Sequence, residues 1–134
     1  MSVKKINLAM YKEYLREAGC EVDEDFISEP NHVWFSDEGL NYLLSIDSAD
    51  DGFVEISIPY ELDGSPDISK RYEVCNHIAR SYKLMKCFYT KDGFVISAEA
   101  FIRSSADFKS LLKYCMVSLH VAYNDVFEKF PDGV

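Results

Sequence analysis

The groups in this sequence able to do chemistry are four cysteines, three histidines and 23 acidic residues. A thiol beside an imidazole would supply a nucleophile and its base. Cys75 or Cys115 with His120 is the pair a fold would have to bring together, because His32, His77 and His120 fall on three separate segments. Glu73 precedes His77 by one helical turn and reads as a surface pair. There is no Gly-rich phosphate loop, no G-x-S-x-G and no H-E-x-x-H. Cys20, Cys75, Cys87 and Cys115 contain no C-x-x-C and no zinc spacing, so they read as reduced, packed thiols. Asp47-x-x-Asp50-Asp51-Gly52 has the outline of a calcium loop. Its twelfth residue is Ile58 where the ion needs Glu, which favours a hairpin turn. No catalytic residue, cofactor or metal ligand is assigned.

Charge is divided along the chain. Residues 17–69 carry fifteen acids and no Lys or Arg, while both flanks are net basic and the whole is −9. The acidic stretch excludes nucleic acid as an expected partner, since phosphate binding needs clustered Lys and Arg. It suits docking to a basic protein. No apolar run approaches the length of a membrane span, and no secretory leader pattern is visible at the start, so a cytoplasmic protein without membrane contact is expected.

The elements that must position these groups follow from periodicity. The length suits one domain over 1–134. A first helix is expected over Asn7–Ala18, with Asn7 as cap, Ile6 and Tyr11 as a staple, and Gly19 as stop. Cys20 to Asn31 reads as an acidic connector in which Phe26 and Ile27 either pin it to the core or begin a short strand. Three strands follow: His32–Ser36, Leu40–Asp47 and Phe53–Tyr60, the last ending or lying at an edge because Pro59 has no N–H. Ser65 and Pro66 open a second helix with Ile68, Tyr72, Cys75, Ile78, Ala79 and Tyr82 as its apolar stripe. Asp92-Gly93 joins two further strands by a type I′ turn. Ser104-Ser105-Ala106-Asp107 caps a last helix that runs to about Phe130. Its inward stripe runs from Phe108 through Cys115 to Phe130, and Met116, Val117, Val121, Tyr123 and Phe127 widen it beyond one face. The expected class is α+β, in the order α-β-β-β-α-β-β-α, with helices packed on an antiparallel sheet.

Two surfaces are candidates for partners. Val33, Trp34 and Phe35 form a short apolar strand that reads either as core or as an edge for β-augmentation, and Asp50 and Asp51, in the acidic stretch, are candidates for docking a basic partner. Tyr72, Asn76, Met116 and Tyr123 are candidates for a homodimer interface, because a helix apolar on so many sides needs more than one cover.

The stretch EVCNHIARSYKLMKCFYTKDGFVISAEAFI carries a resemblance. With the element order, it resembles the type III secretion chaperone-like fold and, within it, the YbjN-like family, over roughly Asn31 to Phe130. Asn76, Lys86 and Asp92-Gly93 match that pattern; Arg80 and Ser81 stand where a second Asn often follows. The resemblance implies a non-enzymatic, acidic homodimer that holds a client protein segment, chaperone-like or regulatory. The charge layout alone also admits an immunity- or antitoxin-like inhibitor that sets residues 17–69 against a basic enzyme.

Overall fold

The computed structural model describes residues 8–26, 28–62 and 64–134. Among them the elements run α1 (Leu8–Glu17), β1 (Glu21–Asp23), β2 (His32–Asp37), β3 (Leu40–Ile46), β4 (Phe53–Glu61), α2 (Ile68–Ser81), β5 (Met85–Tyr89), β6 (Gly93–Phe101) and α3 (Ser105–Lys129). The strands form one sheet in the order β1-β2-β3-β4-β6-β5, antiparallel throughout. The α+β class therefore holds, with one strand more than expected. That strand lies inside the acidic connector, where Glu21, Val22 and Asp23 pair with Ser36, Phe35 and Trp34.

Period-2 alternation decides the faces. Tyr42, Leu44 and Ile46 of β3 are buried beside Val54, Ile56 and Ile58 of β4, and this face carries all three helices. Helix α1 packs on β1 and β2, α2 on β5, and α3 on β4 and β6. Phe108, Leu111, Leu112, Cys115, Leu119, Ala122, Val126 and Phe130 all bury, as the α3 stripe requires. Each large side chain so buried contributes on the order of 1.5–3 kcal/mol. Met116, Tyr123 and Phe127 are half-buried against that core, which accounts for most of the widened stripe; Val117 and Val121 stay exposed.

Helix α1 spans the expected segment, and the expected cap at Asn7 and the residues Ile6 and Ile27 lie outside the described residues. Ser104 accepts from the Asp107 N–H, and the Asp107 carboxylate accepts from the Arg103 N–H, so the α3 cap forms as expected.

Three local expectations fail for identifiable reasons. The cap of α2 is Asp67, not Ser65: its carboxylate takes the Lys70 N–H at 2.8 Å, while Ser65 Oγ and the Pro66 carbonyl receive the Arg71 guanidinium. The buried strip of α2 is Val74 and Ile78, leaving Ile68 and Tyr72 outside, because the helix lies on the last strand of the sheet. Neither Asp92 nor Gly93 has positive φ; the loop is Lys91-Asp92, closed by Thr90 N–H to Gly93 O at 2.8 Å. Gly93 is needed for a different reason, since a Cβ there would collide with the Tyr60 carbonyl across the ladder. The type I′ turn sits instead at Glu38-Gly39, with φ of 49° and 81° between Asp37 and Leu40. Strand β4 continues two residues past Pro59, but its ladder to β3 stops at Ser57, so Pro59 is paired on one side alone.

Candidate functional site

The two ends of the sheet carry the surface features with most chemical character. At one end, among the described residues, β5 has a partner strand on one side only, β6. Helix α2 runs beside it and leaves a groove of about 650 Å³ lined by Tyr72, Glu73, Cys75, Asn76, Ala79, Met85, Lys86 and Cys87. Around it the large apolar side chains are turned to solvent: Tyr72 is 71% exposed, Leu84 69%, Ile68 63% and Phe88 40%. Leu84 holds a left-handed backbone, φ 62°, immediately before β5. Lys86 stands on the helix-free face between Glu99 (3.2 Å) and Glu55 (3.4 Å), its ammonium 6.0 Å from the Phe88 ring. Residues 70–92 hold six cations against two acids, so this end is the reverse of the acidic stretch.

At the other end β1 is short and tied down. Glu24 bonds Lys12 at 2.9 Å and Arg16 of α1, and the Lys12 hydrogen bond holds its carboxyl below the ordinary value against a smaller burial effect. Asp23 Oδ1 accepts the N–H groups of Asp25 and Phe26 at 3.1 and 3.2 Å. That turn sets the Phe26 ring edge-on to Trp34, centroids 5.7 Å apart, while Trp34 Nε1 donates to Ser28 Oγ at 2.9 Å. A groove of about 550 Å³ results, walled by Glu21, Asp23, Asp25, Phe26 and Trp34.

Between α2 and α3 lies a polar joint. His77 Nε2 meets Asp125 Oδ2 at 2.5 Å, Tyr82 donates to the same oxygen at 3.0 Å, and Ser81 Oγ is 3.4 Å from His77 Nδ1. The His77 bond, then the Tyr82 bond, hold the Asp125 carboxyl below its ordinary value. These residue types are those of a nucleophile relay, but Ser81 is one turn along the same exposed helix as His77. The observed chemistry is that of a clamp joining two helices.

The structure redistributes the residues singled out from sequence. His77 pairs with Asp125, not Glu73. His120 Nδ1 faces Glu38 at 4.0 Å, not a thiol. Cys115 is fully buried, which pushes its thiol up to about 12; burial raises Cys20 to about 11 and also raises Cys75 and Cys87. None of the four is poised as a thiolate at neutral pH. Val33 and Phe35 point into the core, and β2 is paired with β1 over Trp34–Ser36, so the free edge expected there is closed and Trp34 alone reaches the outer face. Asp50 and Asp51 sit in the β3–β4 turn, where Asp47 Oδ1 takes the Ala49 and Asp50 N–H groups, Asp50 Oδ1 takes Gly52 N–H, and the Asp51 carbonyl takes Tyr11 OH at 2.8 Å. Asp51 lines a groove with Tyr14 and Ile102, separate from that of Trp34. Of the four dimer candidates, Tyr72 and Asn76 share the α2–β5 groove. Met116 packs beside Cys20 and Tyr123 against Tyr60 and Phe127, so the four do not form one surface. Leu84 and Phe88 were missed, although an apolar strand beside an apolar helix pattern was readable.

No helix among the described residues is long and apolar enough to cross a membrane. No family model matches the chain, and no curated protein matches it. Among solved structures, it is similar to a crystal structure of an uncharacterized protein from Methanothermobacter thermautotrophicus. The TM-score is 0.63 at 14% identity, over 91% of this chain and 97% of that one. The similarity bears on the fold alone.

Proposed function

We propose that this chain is a non-enzymatic protein-binding module, chaperone-like or regulatory in the manner of the YbjN-like resemblance, and that it works as a homodimer in the cytoplasm. The observation that carries the reading is the collection of Ile68, Tyr72, Leu84 and Phe88, all exposed, around the single-sided strand β5. Exposed apolar side chains on both sides of an open edge mark an interaction surface. The occupant is a second copy. Antiparallel self-pairing of β5 about Cys87 sets Lys86 of one copy opposite Phe88 of the other, a cation–π pair made twice. Tyr72 and Asn76 of α2 then flank the seam; Met116 and Tyr123 take no part in it. Light scattering tests this: a mass near twice 15.4 kDa is expected. A monomer at high micromolar concentration rejects it.

A second reading has its own observation. The groove beside β1 joins Phe26, Trp34 and unlike-charge capacity from Glu21, Asp23 and Asp25, and it suits a Lys- or Arg-bearing segment of a client or of an inhibited enzyme. Titration with a basic peptide, followed by Trp34 fluorescence, should show binding that fails above about 0.5 M salt, where the Debye length is only a few ångströms.

A further inference from the structure

Two of the four thiols share one groove although their positions in sequence give no hint of it. Cys75 lies on the α2 turn between Val74 and Ile78, and Cys87 lies at the centre of β5 on the side that α2 covers. Both line the same open groove and both are half-buried, and each thiol lies near enough to act on the other's ionisation. Cys20 and Cys115 are buried elsewhere, the first beside Met116.

We infer that Cys75 and Cys87 form a dithiol–disulfide site that a low-molecular-weight disulfide such as oxidised glutathione closes, tying α2 covalently to β5. Cys75 is the entering thiol. It loses its proton to water, its thiolate attacks one sulfur of oxidised glutathione, the S–S bond breaks and one glutathione leaves as thiolate. Cys87, deprotonated in turn, attacks the Cys75 sulfur of the mixed disulfide. The second glutathione leaves, and both glutathione thiolates take up protons. Two electrons pass from the protein to one oxidised glutathione, and the protein loses two hydrogens. The order follows from the surroundings. Burial raises both thiols, but the contact with Cys87 pulls Cys75 back down, whereas the same contact raises Cys87 further. The reaction is therefore slow at neutral pH and faster as pH rises.

Closure does not depend on the dimer reading. Its effect on assembly does, since the groove flanks the proposed seam.

The folded full-length chain is incubated with oxidised glutathione, quenched with acid, alkylated in denaturant and digested for mass spectrometry. The expected product is a Cys75–Cys87 linked peptide, with alkylation confined to Cys20 and Cys115. Thermal unfolding of the same sample should shift upward and return with dithiothreitol. Cys87→Ser should trap glutathione on Cys75 faster than Cys75→Ser traps it on Cys87. Persistent glutathione on both cysteines without a link, a link through Cys20 or Cys115, or four alkylated cysteines after prolonged incubation at pH 8.5 overturns the site. Light scattering on the linked protein reports assembly separately, so a monomer that still forms the link rejects the dimer and leaves the dithiol standing.

Discussion

Both edges of the six-stranded sheet are exposed, yet they are built on opposite plans. Strand β1 has three residues, two of them acidic, and the next residue Glu24 and the strand's own Asp23 spend their carboxylates on Lys12, Arg16 and the turn that carries Phe26. Short, charged edges resist pairing with another sheet. Strand β5 has Met85, Cys87, Phe88 and Tyr89 among its five residues and stands last in the sheet, with no described strand on its outer side. Its one charge, Lys86, is neutralised by Glu55 and Glu99. The same sheet thus protects one edge and leaves the other apolar and open. A surface that merely had not been covered would show no such contrast between its ends.

The comparison can be broken most directly at Tyr72. Tyr72→Asp puts a desolvated charge in the proposed seam and should weaken dimerisation about a hundredfold. Val121→Asp, an equally exposed change on α3, should leave the light-scattering mass unaltered. Equal loss from both would dissolve the distinction between the β5 end and the rest of the apolar surface.

Salt sharpens it. The β5 ends are both net basic, so raising ionic strength from about 0.01 to 0.15 M, which shortens the Debye length from roughly 30 to 8 Å, should hold or tighten the dimer. Binding of a basic peptide beside β1 should weaken about tenfold over the same range. Sedimentation equilibrium and fluorescence titration would show opposite slopes if the two ends differ as described.

The His77–Asp125–Tyr82 joint predicts a pH effect on the α2 side. Asp125 is lowered in the folded state, so its contribution is complete above the unfolded carboxylate value near 3.9 and is lost as pH falls through the folded value. Asp125→Asn should cost about 1–2 kcal/mol at pH 7, discounted for its partial exposure. The gap to wild type should shrink below about pH 4. Urea midpoints across pH 3–8 measure both, and a constant gap would count against the clamp.

The smallest effect concerns Leu84. Its left-handed backbone is costly for a side chain with Cβ, so Leu84→Gly should stabilise the monomer by about 0.5–1 kcal/mol. It should also weaken the dimer by removing an exposed apolar contact. Gain in unfolding midpoint together with unchanged dimerisation would place Leu84 outside the seam.

How much of this was legible depends on whether the cause was local. Leu40, Tyr42, Leu44 and Ile46 alternate by themselves, and Ser104 with Asp107 announces α3 within four residues. Strand β1 has one apolar residue, Val22, and owes its conformation to Trp34–Ser36 across the ladder. Asp92-Gly93 has the composition of one device and performs another, because the collision with Tyr60 that demands glycine comes from the neighbouring strand β4, not from the turn. His77 with Asp125 and Cys75 with Cys87 are each joined by tertiary packing alone. The acidic stretch was plain, but not that four of its fifteen acids, Asp23, Asp47, Asp50 and Asp67, serve as turn and cap acceptors.

The ladder between β4 and β6 has a consequence for how the chain reaches this state. It pairs Phe53 with Phe101 and Glu61 with Gly93, so α2 and β5 must be looped out before it closes. The meander from β1 to β4 can assemble from neighbouring hairpins, and while it waits, Val54, Ile56 and Ile58 lie on a temporary outer strand. Non-local closure of this kind is the slow step in sheet folding. During refolding the nascent chain is therefore most prone to self-association through β4, a strand that the finished molecule hides at its centre, and Glu55 and Pro59 stand there as the residues that discourage it.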